Sequence, residues 1–352
     1  MGSEFFQKNP PYFSFFNVFI VKTLNSVLCT LNFYHYLCSK NKNKMQRKLK
    51  FALFGNEYQT KKSASVTRLL SCLQRHEAEV YVERTFGEFL RQMHGDEASA
   101  NQQLWNELRE FERLDFDVDY AISMGGDGTL LKTASHVGAT GVPIIGVNTG
   151  RLGFLADFLP DEMEDAFAEL YEGRCTTEEH SVIGIAGRSV KGGKDIDFSK
   201  VGYPYALNDI AVLKRDNASM ITIHARVNDN ELVTYQADGL VVSTPTGSTA
   251  YNLSNGGPIM APLTGILCLT PVAPHSLNIR PIVINDDSEI VLTIESRTHN
   301  FLVAVDGRSA SFGEGTQLVI RKAPYRVRIV KRASQHYFAT LREKMMWGID
   351  AR

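Results

Sequence analysis

Two periodicities meet near Gly173, and their order along the 352 residues restricts the fold more than any other feature. Between Lys50 and Tyr171, apolar runs of strand length alternate with stretches of helical spacing. The series contains a run at 50–54, a helical pattern over Val66–Gln74, a short strand at Glu79–Val82 and the run Tyr120–Met124. It continues with a helix over Thr129–His136, a strand at Val142–Val147 and a helix over Glu162–Tyr171 introduced by Pro160 and Asp161; a charged helical stretch holds Leu104, Trp105 and Leu108. Alternation of this kind predicts a parallel sheet with flanking helices, because parallel neighbours need a crossover between them. Beyond Gly173 the segments become short and alternating, as in Ser181–Ala186, Asp209–Leu213, Met220–Val227, Leu232–Gln236 and Leu240–Ser243. Asn228-Asp229-Asn230 is an expected hairpin turn, and Asn285-Asp286-Asp287 and Asp306-Gly307 punctuate later strands. This half reads as all-β, a sandwich or an irregular barrel. The stretch Tyr337–Trp347 returns to helical spacing and is expected to pack back onto the first half.

The expected organisation is an extension over 1–44, an α/β domain over 45–172 joined by the C-terminal segment 333–352, and a β-sandwich domain over 173–332. The chain is long enough for each domain to bury its own core. The extension crowds Phe5, Phe6, Tyr12, Phe13, Phe15, Phe16 and Phe19 into one segment, but Asn17, Lys22, Asn25 and Asn32 break its apolar runs. They fall short of the ~20 apolar residues of a spanning helix. The start also lacks the basic region and cleavage site of a signal peptide. The segment is read as lying outside the catalytic fold, with the functional chain starting near Met45 and no membrane partner. A formal net charge of −1 offers no general attraction to nucleic acid, so any bound anion must be held by a local site. The scattered cysteines Cys29, Cys38, Cys72, Cys175 and Cys268 show no metal-finger or CxxC spacing and read as packing thiols of a reduced, cytoplasmic protein.

Three motifs carry chemistry. Gly125-Gly126-Asp127-Gly128-Thr129 follows an apolar strand and opens a helix, where glycines let a backbone approach a pyrophosphate and helix N–H groups favour negative charge. Leu131 stands where a dinucleotide fingerprint needs its third glycine, and no GxxxxGK[ST] loop occurs. Taken by itself the motif also reads as a tight turn in which Asp127 caps the helix. The second motif runs from Asp238 through Thr244-Pro245-Thr246-Gly247-Ser248-Thr249-Ala250-Tyr251 to Ser254, a strand leading into a loop of hydroxyls suited to a nucleotide base and ribose. In the third, Asn208-Asp209 sets an amide beside a carboxylate at the head of a strand, able to accept from ribose hydroxyls or to form an ordinary Asx-turn.

Together these motifs resemble the NAD kinases, which share the GGDGT element with diacylglycerol kinases, sphingosine kinases and 6-phosphofructokinases. Asn148-Thr149-Gly150-Arg151-Leu152-Gly153-Phe154-Leu155 and Pro274-His275-Ser276-Leu277 with Arg280-Pro281 extend the match, in family order, from about Lys50 to Trp347. The resemblance implies an α/β first domain, a β-sandwich second domain and an active site between them. The activity it implies is transfer of the ATP γ-phosphate to the adenosine ribose 2′-hydroxyl of NAD, in a homodimer or homotetramer whose neighbouring subunits complete the NAD site. It implies Asp127 as catalytic base, with Gly125, Gly126, Gly128 and Thr129 near phosphates. Asn208 and Asp209 hold ribose hydroxyls, with Asp209 one methylene shorter than the Glu of many relatives. Thr249, Ala250, Tyr251 and Ser254 line the adenine and nicotinamide subsites, Asp238 faces the nicotinamide amide and Phe154 closes the pocket. His275 is either a ligand contact or a buried structural histidine.

Magnesium is expected to arrive on ATP phosphates rather than at a dedicated protein site. Asp286-Asp287 reads as a solvated turn, and His136 and His180 as structural or exposed. A lipid or sugar kinase would not need the block at 244–251. An idle NAD(P)-binding sensor would gain nothing from a carboxylate at Asp127 beside phosphates.

Overall fold

The computed structural model describes residues 48–56, 63–94, 108–150, 153–190, 195–215 and 219–348. The extension, the stretch around Leu104 and Trp105, and Arg151 and Leu152 lie outside these residues. The α/β half runs β1 (Lys50–Gly55), α1 (Ser63–Arg75), β2 (Glu79–Glu83), α2 (Arg84–His94), β3 (Arg109–Phe111), β4 (Tyr120–Gly125), α3 (Asp127–Val137), β5 (Ile144–Asn148) and α4 (Met163–Tyr171). Its strands pair in parallel in the order β5-β4-β1-β2-β3. Alternation along β1 divides the core into two layers. Phe51 and Leu53 pack with Leu69, Leu73 and Phe167 of α1 and α4, while Ala52 and Phe54 pack with Leu130 and Ala134 of α3. Each fully buried Leu or Phe contributes about 1.5–3 kcal/mol by leaving water.

The second half is a sandwich. It comprises β6 (Thr176–Ser189), β7 (Tyr205–Ala206), β8 (Asp209–Lys214), β9 (Ile221–Val227), β10 (Asn230–Ala237), β11 (Gly239–Ser243), the short α5 (Tyr251–Ser254), β12 (Ile266–Val272), β13 (Ile282–Asn285), β14 (Ile290–Glu295), β15 (Asn300–Val305), β16 (Arg308–Gly313) and β17 (Thr316–Lys331). One sheet is ordered β13-β12-β11-β8-β15-β16, and Ile210, Val212, Leu240, Val242, Ile223 and Ile320 meet in the core between the sheets. The other sheet, holding β6, β9, β10, β14 and β17, is continuous with the parallel sheet through β17 and β5, which pair at Ile329 and Ile144. The 14 residues of β6 run well beyond the expected Ser181–Ala186, because β17 offers a partner along almost its whole length. Pairing between them slips between Lys322 and Arg326, where Pro324 has no N–H for the ladder. The helix α6 (Tyr337–Met345) follows, with Leu341 and Thr340 buried.

The turn chemistry holds where the sequence marks it. Asn228 and Asp229, with φ 47° and 64°, form the two-residue link of the β9–β10 hairpin, and Asp306 and Gly307, with φ 46° and 81°, link β15 to β16. The expectation of a solvated Asp286 fails. It is buried, its Oδ2 accepts from Ser181 Oγ at 3.1 Å, and Lys322 Nζ lies 2.7 Å away. A turn between strands is solvated only if nothing packs on it, and here β6 and β17 do. Among the described residues no helix is long and apolar enough to cross a membrane.

Candidate active site

Asp127 does not cap α3. The cap position is Gly126, with no side-chain cap hydrogen bond, and Asp127 is the first helical residue. Its carboxylate instead crosses to the loop after β5: Oδ2 accepts the Phe154 N–H at 2.9 Å and Oδ1 accepts the Leu155 N–H at 3.1 Å. A Cβ at Gly153 would overlap this carboxylate, so the close approach requires glycine there. On its other side the loop faces a cation. Lys331 Nζ lies 3.5 Å from the carbonyls of both Phe154 and Leu155 and 2.6 Å from Asp157 Oδ2. Burial pushes the Asp157 carboxyl upward, against the pull of Lys331. The loop is thus clamped between an anion on its amides and a cation on its carbonyls. Gly126 and Gly128 border open space, and the first turn of a helix presents unpaired N–H groups and positive dipole, which together suit a phosphate.

A pocket opens beside this loop at the junction of the two halves. Phe154 and Asp157 line it from the α/β half, His180, Thr246 and Thr249 from the sandwich, and Tyr337 from α6. His180, read as structural or exposed, is buried and bonded through Nδ1 to Thr246 Oγ1 at 2.9 Å and through Nε2 to Glu178 at 3.3 Å. The hydroxyl-rich block splits into two roles. Ser243, Thr244 and Ser248 are fully buried and hold the loop: Thr244 Oγ1 donates to Leu207 O at 2.5 Å, and Ser248 Oγ donates to Pro245 O at 2.7 Å and accepts from Met260 N at 3.0 Å. Thr246 and Thr249 face the pocket, and Tyr251 and Ser254 are exposed beyond it.

Asn208 and Asp209 reach the same loop, since Thr244 N donates to Asn208 O at 2.9 Å and a Cβ at Gly247 would strike the Asn208 backbone. The pair is held from outside by Asp306, whose carboxylate accepts the N–H groups of Leu207, Asn208 and Asp209 at 2.8, 2.8 and 3.1 Å. Sequence reading passed over Asp306 as mere turn punctuation; a carboxylate in a two-residue hairpin link was its sole signal. Asn208 Oδ1 is buried without a hydrogen-bond partner, an acceptor awaiting a donor. Burial, and then the charge of Asp306, push the Asp209 carboxyl up to about 7.

The structure does not bring Asp238 and His275 to this place. Asp238 lies at the opposite end of β11 from Thr244, roughly 20 Å along the strand, with Lys214 Nζ 2.7 Å from its Oδ1. His275 is exposed rather than buried, and its N–H donates to Gln236 O at 2.8 Å. Elsewhere, among the described residues, Cys72, His76 and Glu164 approach one another. There Glu164 is paired with Arg75, and burial pushes the Cys72 thiol up. Cys72 and Cys268 are buried free thiols, and Cys175 is half-buried.

Residues 51–175 match the family described as ATP-NAD kinase N-terminal domain, and residues 207–332 the ATP-NAD kinase C-terminal domain. An NAD kinase of Bacteroides fragilis is 52% identical over 304 residues, covering 86% of this chain and 100% of that protein. One from Porphyromonas gingivalis is 39% identical over 303 residues, covering 86% and 99%. Among solved structures, an NAD kinase from Archaeoglobus fulgidus in complex with ATP matches at 27% identity and TM-score 0.62 over 85% of this chain and 99% of that one. Yeast NADH kinase complexed with NADH shares the fold at TM-score 0.77 and 22% identity, over 87% of this chain and 89% of that one. Matching domains over most of its length, in the order its two halves fold, the chain belongs to the NAD kinase family.

Proposed function

We propose that the chain phosphorylates the adenosine ribose 2′-hydroxyl of NAD with ATP to give NADP and ADP, and that Asp127 is the general base. The observation that carries this reading is the placement of the Asp127 carboxylate. It is held by two loop amides rather than spent on a helix cap, beside open space over Gly126 and Gly128. Phosphates bind at the first turn of α3, with Gly125 and Thr129 shaping the turn. Asn208 Oδ1 and the Asp209 carboxyl receive ribose hydroxyls, which satisfies the orphaned acceptor. Phe154, Thr249, Ala250, Tyr251 and Ser254 border the base subsites. The reacting hydroxyl is a weak nucleophile, and phosphoryl transfer asks the protein for positioning, charge stabilisation and a proton acceptor.

Magnesium travels with ATP in this reading. The open space over Gly126 and Gly128 leaves room for an ion held through ATP phosphate oxygens and water rather than by a protein ligand. When bound, the ion neutralises charge on the donor phosphates. A homo-oligomer fits two observations: Asp238 and His275 lie far from Asn208 along the strand, and the edge strand β13 with its approach leaves Leu277, Ile282 and Val283 exposed. A neighbouring subunit then supplies Asp238 and His275 to the nicotinamide end. The thiols Cys72, Cys175 and Cys268 suit a reducing cytoplasm.

The test is incubation of the purified chain with ATP, Mg²⁺ and NAD, with NADP read through glucose-6-phosphate dehydrogenase. Asp127→Asn is expected to lower kcat by ~10²- to 10⁴-fold, since the amide cannot take the proton. The KM for NAD should stay within about threefold. Normal turnover by this variant would remove Asp127 from the role of base.

A further inference from the structure

The C-terminal helix brings a cation to Asp127. Lys344 Nζ lies 3.5 Å from Asp127 Oδ2 and 4.3 Å from the centre of the Phe154 ring. Tyr337, the first residue of the same helix, packs its ring 6.3 Å from Phe154, and Leu341 and Thr340 are buried and anchor the helix. Neither that anchoring nor the Tyr337–Phe154 ring contact requires a charge at position 344. Both members of the ion pair are about one-third exposed, 31% for Lys344 and 30% for Asp127.

This contact opposes the work assigned to Asp127. Each of its carboxylate oxygens already accepts a backbone N–H, and the ammonium adds a third partner on Oδ2. An ammonium resting permanently there occupies a lone pair of Oδ2 that a hydroxyl proton would need. The pair is solvent-screened and weak, and lysine is a compact charge on a flexible stem. It exchanges readily for a partner of higher charge, and a nucleoside triphosphate delivered to the first turn of α3 is such a partner. Phosphoryl transfer in turn requires a cation at the equatorial oxygens of the moving group.

We propose that Lys344 is the donor-phosphate cation of this site, parked on Asp127 and Phe154 until the triphosphate arrives, and that its transfer to the γ-phosphoryl oxygens frees Asp127 Oδ2. In the step that follows, the ribose 2′-oxygen forms its bond to the γ-phosphorus. The bond from that phosphorus to the β,γ-bridging oxygen breaks, its electron pair leaving with ADP, and the hydroxyl proton passes to Asp127 Oδ2. The base is thereby unmasked only with the donor in place. The proposal rests on reading Asp127 as the site of phosphoryl transfer.

The experiment compares Lys344→Met, Lys344→Arg and Asp127→Asn in the full-length enzyme, with MgATP varied at saturating NAD and NAD varied at saturating MgATP. Lys344→Met is expected to lose ~10²-fold or more in kcat, the usual loss on removing a charge-stabilising donor. The KM for ATP should rise and the KM for NAD hold. Lys344→Arg should recover most of the activity. Binding of a non-hydrolysable MgATP analogue should weaken ~10-fold in Lys344→Met while NAD binding is retained, which a damaged fold would not produce. Lys344→Gln substitutes if the Met variant does not fold. A Lys344→Met or Gln enzyme with kcat within about threefold of wild type and unchanged binding of the MgATP analogue, beside an inactive Asp127→Asn, overturns the proposal and leaves Asp127 as the base. A fully active Asp127→Asn overturns the site reading itself, and this proposal with it.

Discussion

Asp209 and Asp306 show how one acidic residue sets another. Asp306 spends its carboxylate on three successive backbone amides, which fixes the chain direction at Asn208 and Asp209. Burial of the site, and then the charge of Asp306, make the Asp209 proton hard to remove, with the carboxyl pushed from 3.8 up to about 7. The folded chain therefore holds this proton more tightly than the unfolded chain does. The resulting stability is fully present below the unfolded value near 3.8 and is lost as pH rises through about 7. Denaturant unfolding of wild type and Asp209→Asn across pH 4–9 should show the difference between them moving against wild type over this window, by at most about 4 kcal/mol, and levelling above it. A pH-independent difference would mean that Asp209 ionises freely in the folded protein.

At the scale of elements, the Asp127 carboxylate belongs as much to the loop after β5 as to α3. That loop binds Asp127 through the amides of Phe154 and Leu155 and binds Lys331 of β17 through the two carbonyls, with Asp157 closing the charge on Lys331. Lys331 and Asp157 are both largely buried, so removing one partner leaves a charge in a low-dielectric site. Lys331→Met is expected to destabilise the fold by ~3–5 kcal/mol at neutral pH, as broken buried pairs do. The loss should shrink toward low pH, where Asp157 is protonated and neutral. Thermal and denaturant melts at pH 5 and 8 measure this, and a loss below about 1 kcal/mol at both would show that water screens the pair.

Across the whole molecule, the proposed site residues fall at the two ends of β11, with Asn208 and the 244–251 loop at one and Asp238 and His275 at the other. If two subunits build each site, Asp127→Asn and Asp238→Ala damage different contributors to it. A mixed assembly then restores sites in which both residues are wild type. Co-refolding the two poorly active variants should return up to about a quarter of wild-type activity, the statistical share of intact sites in a random dimer. No recovery from a mixture that assembles normally, with Asp238→Ala inactive alone, would place Asp238 in the site of its own subunit.

The sequence by itself determined the order of the two architectures, the hairpin turn at Asn228-Asp229-Asn230, the break between strands at Asp306-Gly307, and the motifs at 125–129, 208–209 and 244–251. All of these depend on local periodicity, on residues that tolerate positive φ, or on contiguous side chains, and such signals survive in a linear reading. Tertiary structure alone decided which hydroxyls of the 244–251 block hold the loop and which face the pocket. It decided that Asp127 grips Phe154 and Leu155 instead of capping its helix, that Asp286 is buried, and that His180, Asp306, Lys331 and Lys344 stand around the site. Those contacts join residues 27 to 217 positions apart where they involve Asp127, and 98 apart where Asp306 meets Asn208. Hydrogen bonds and ion pairs act over a few ångströms of space, whatever the separation in sequence, and it is the sheet order, with β17 laid between β6 and β5, that makes those distances short.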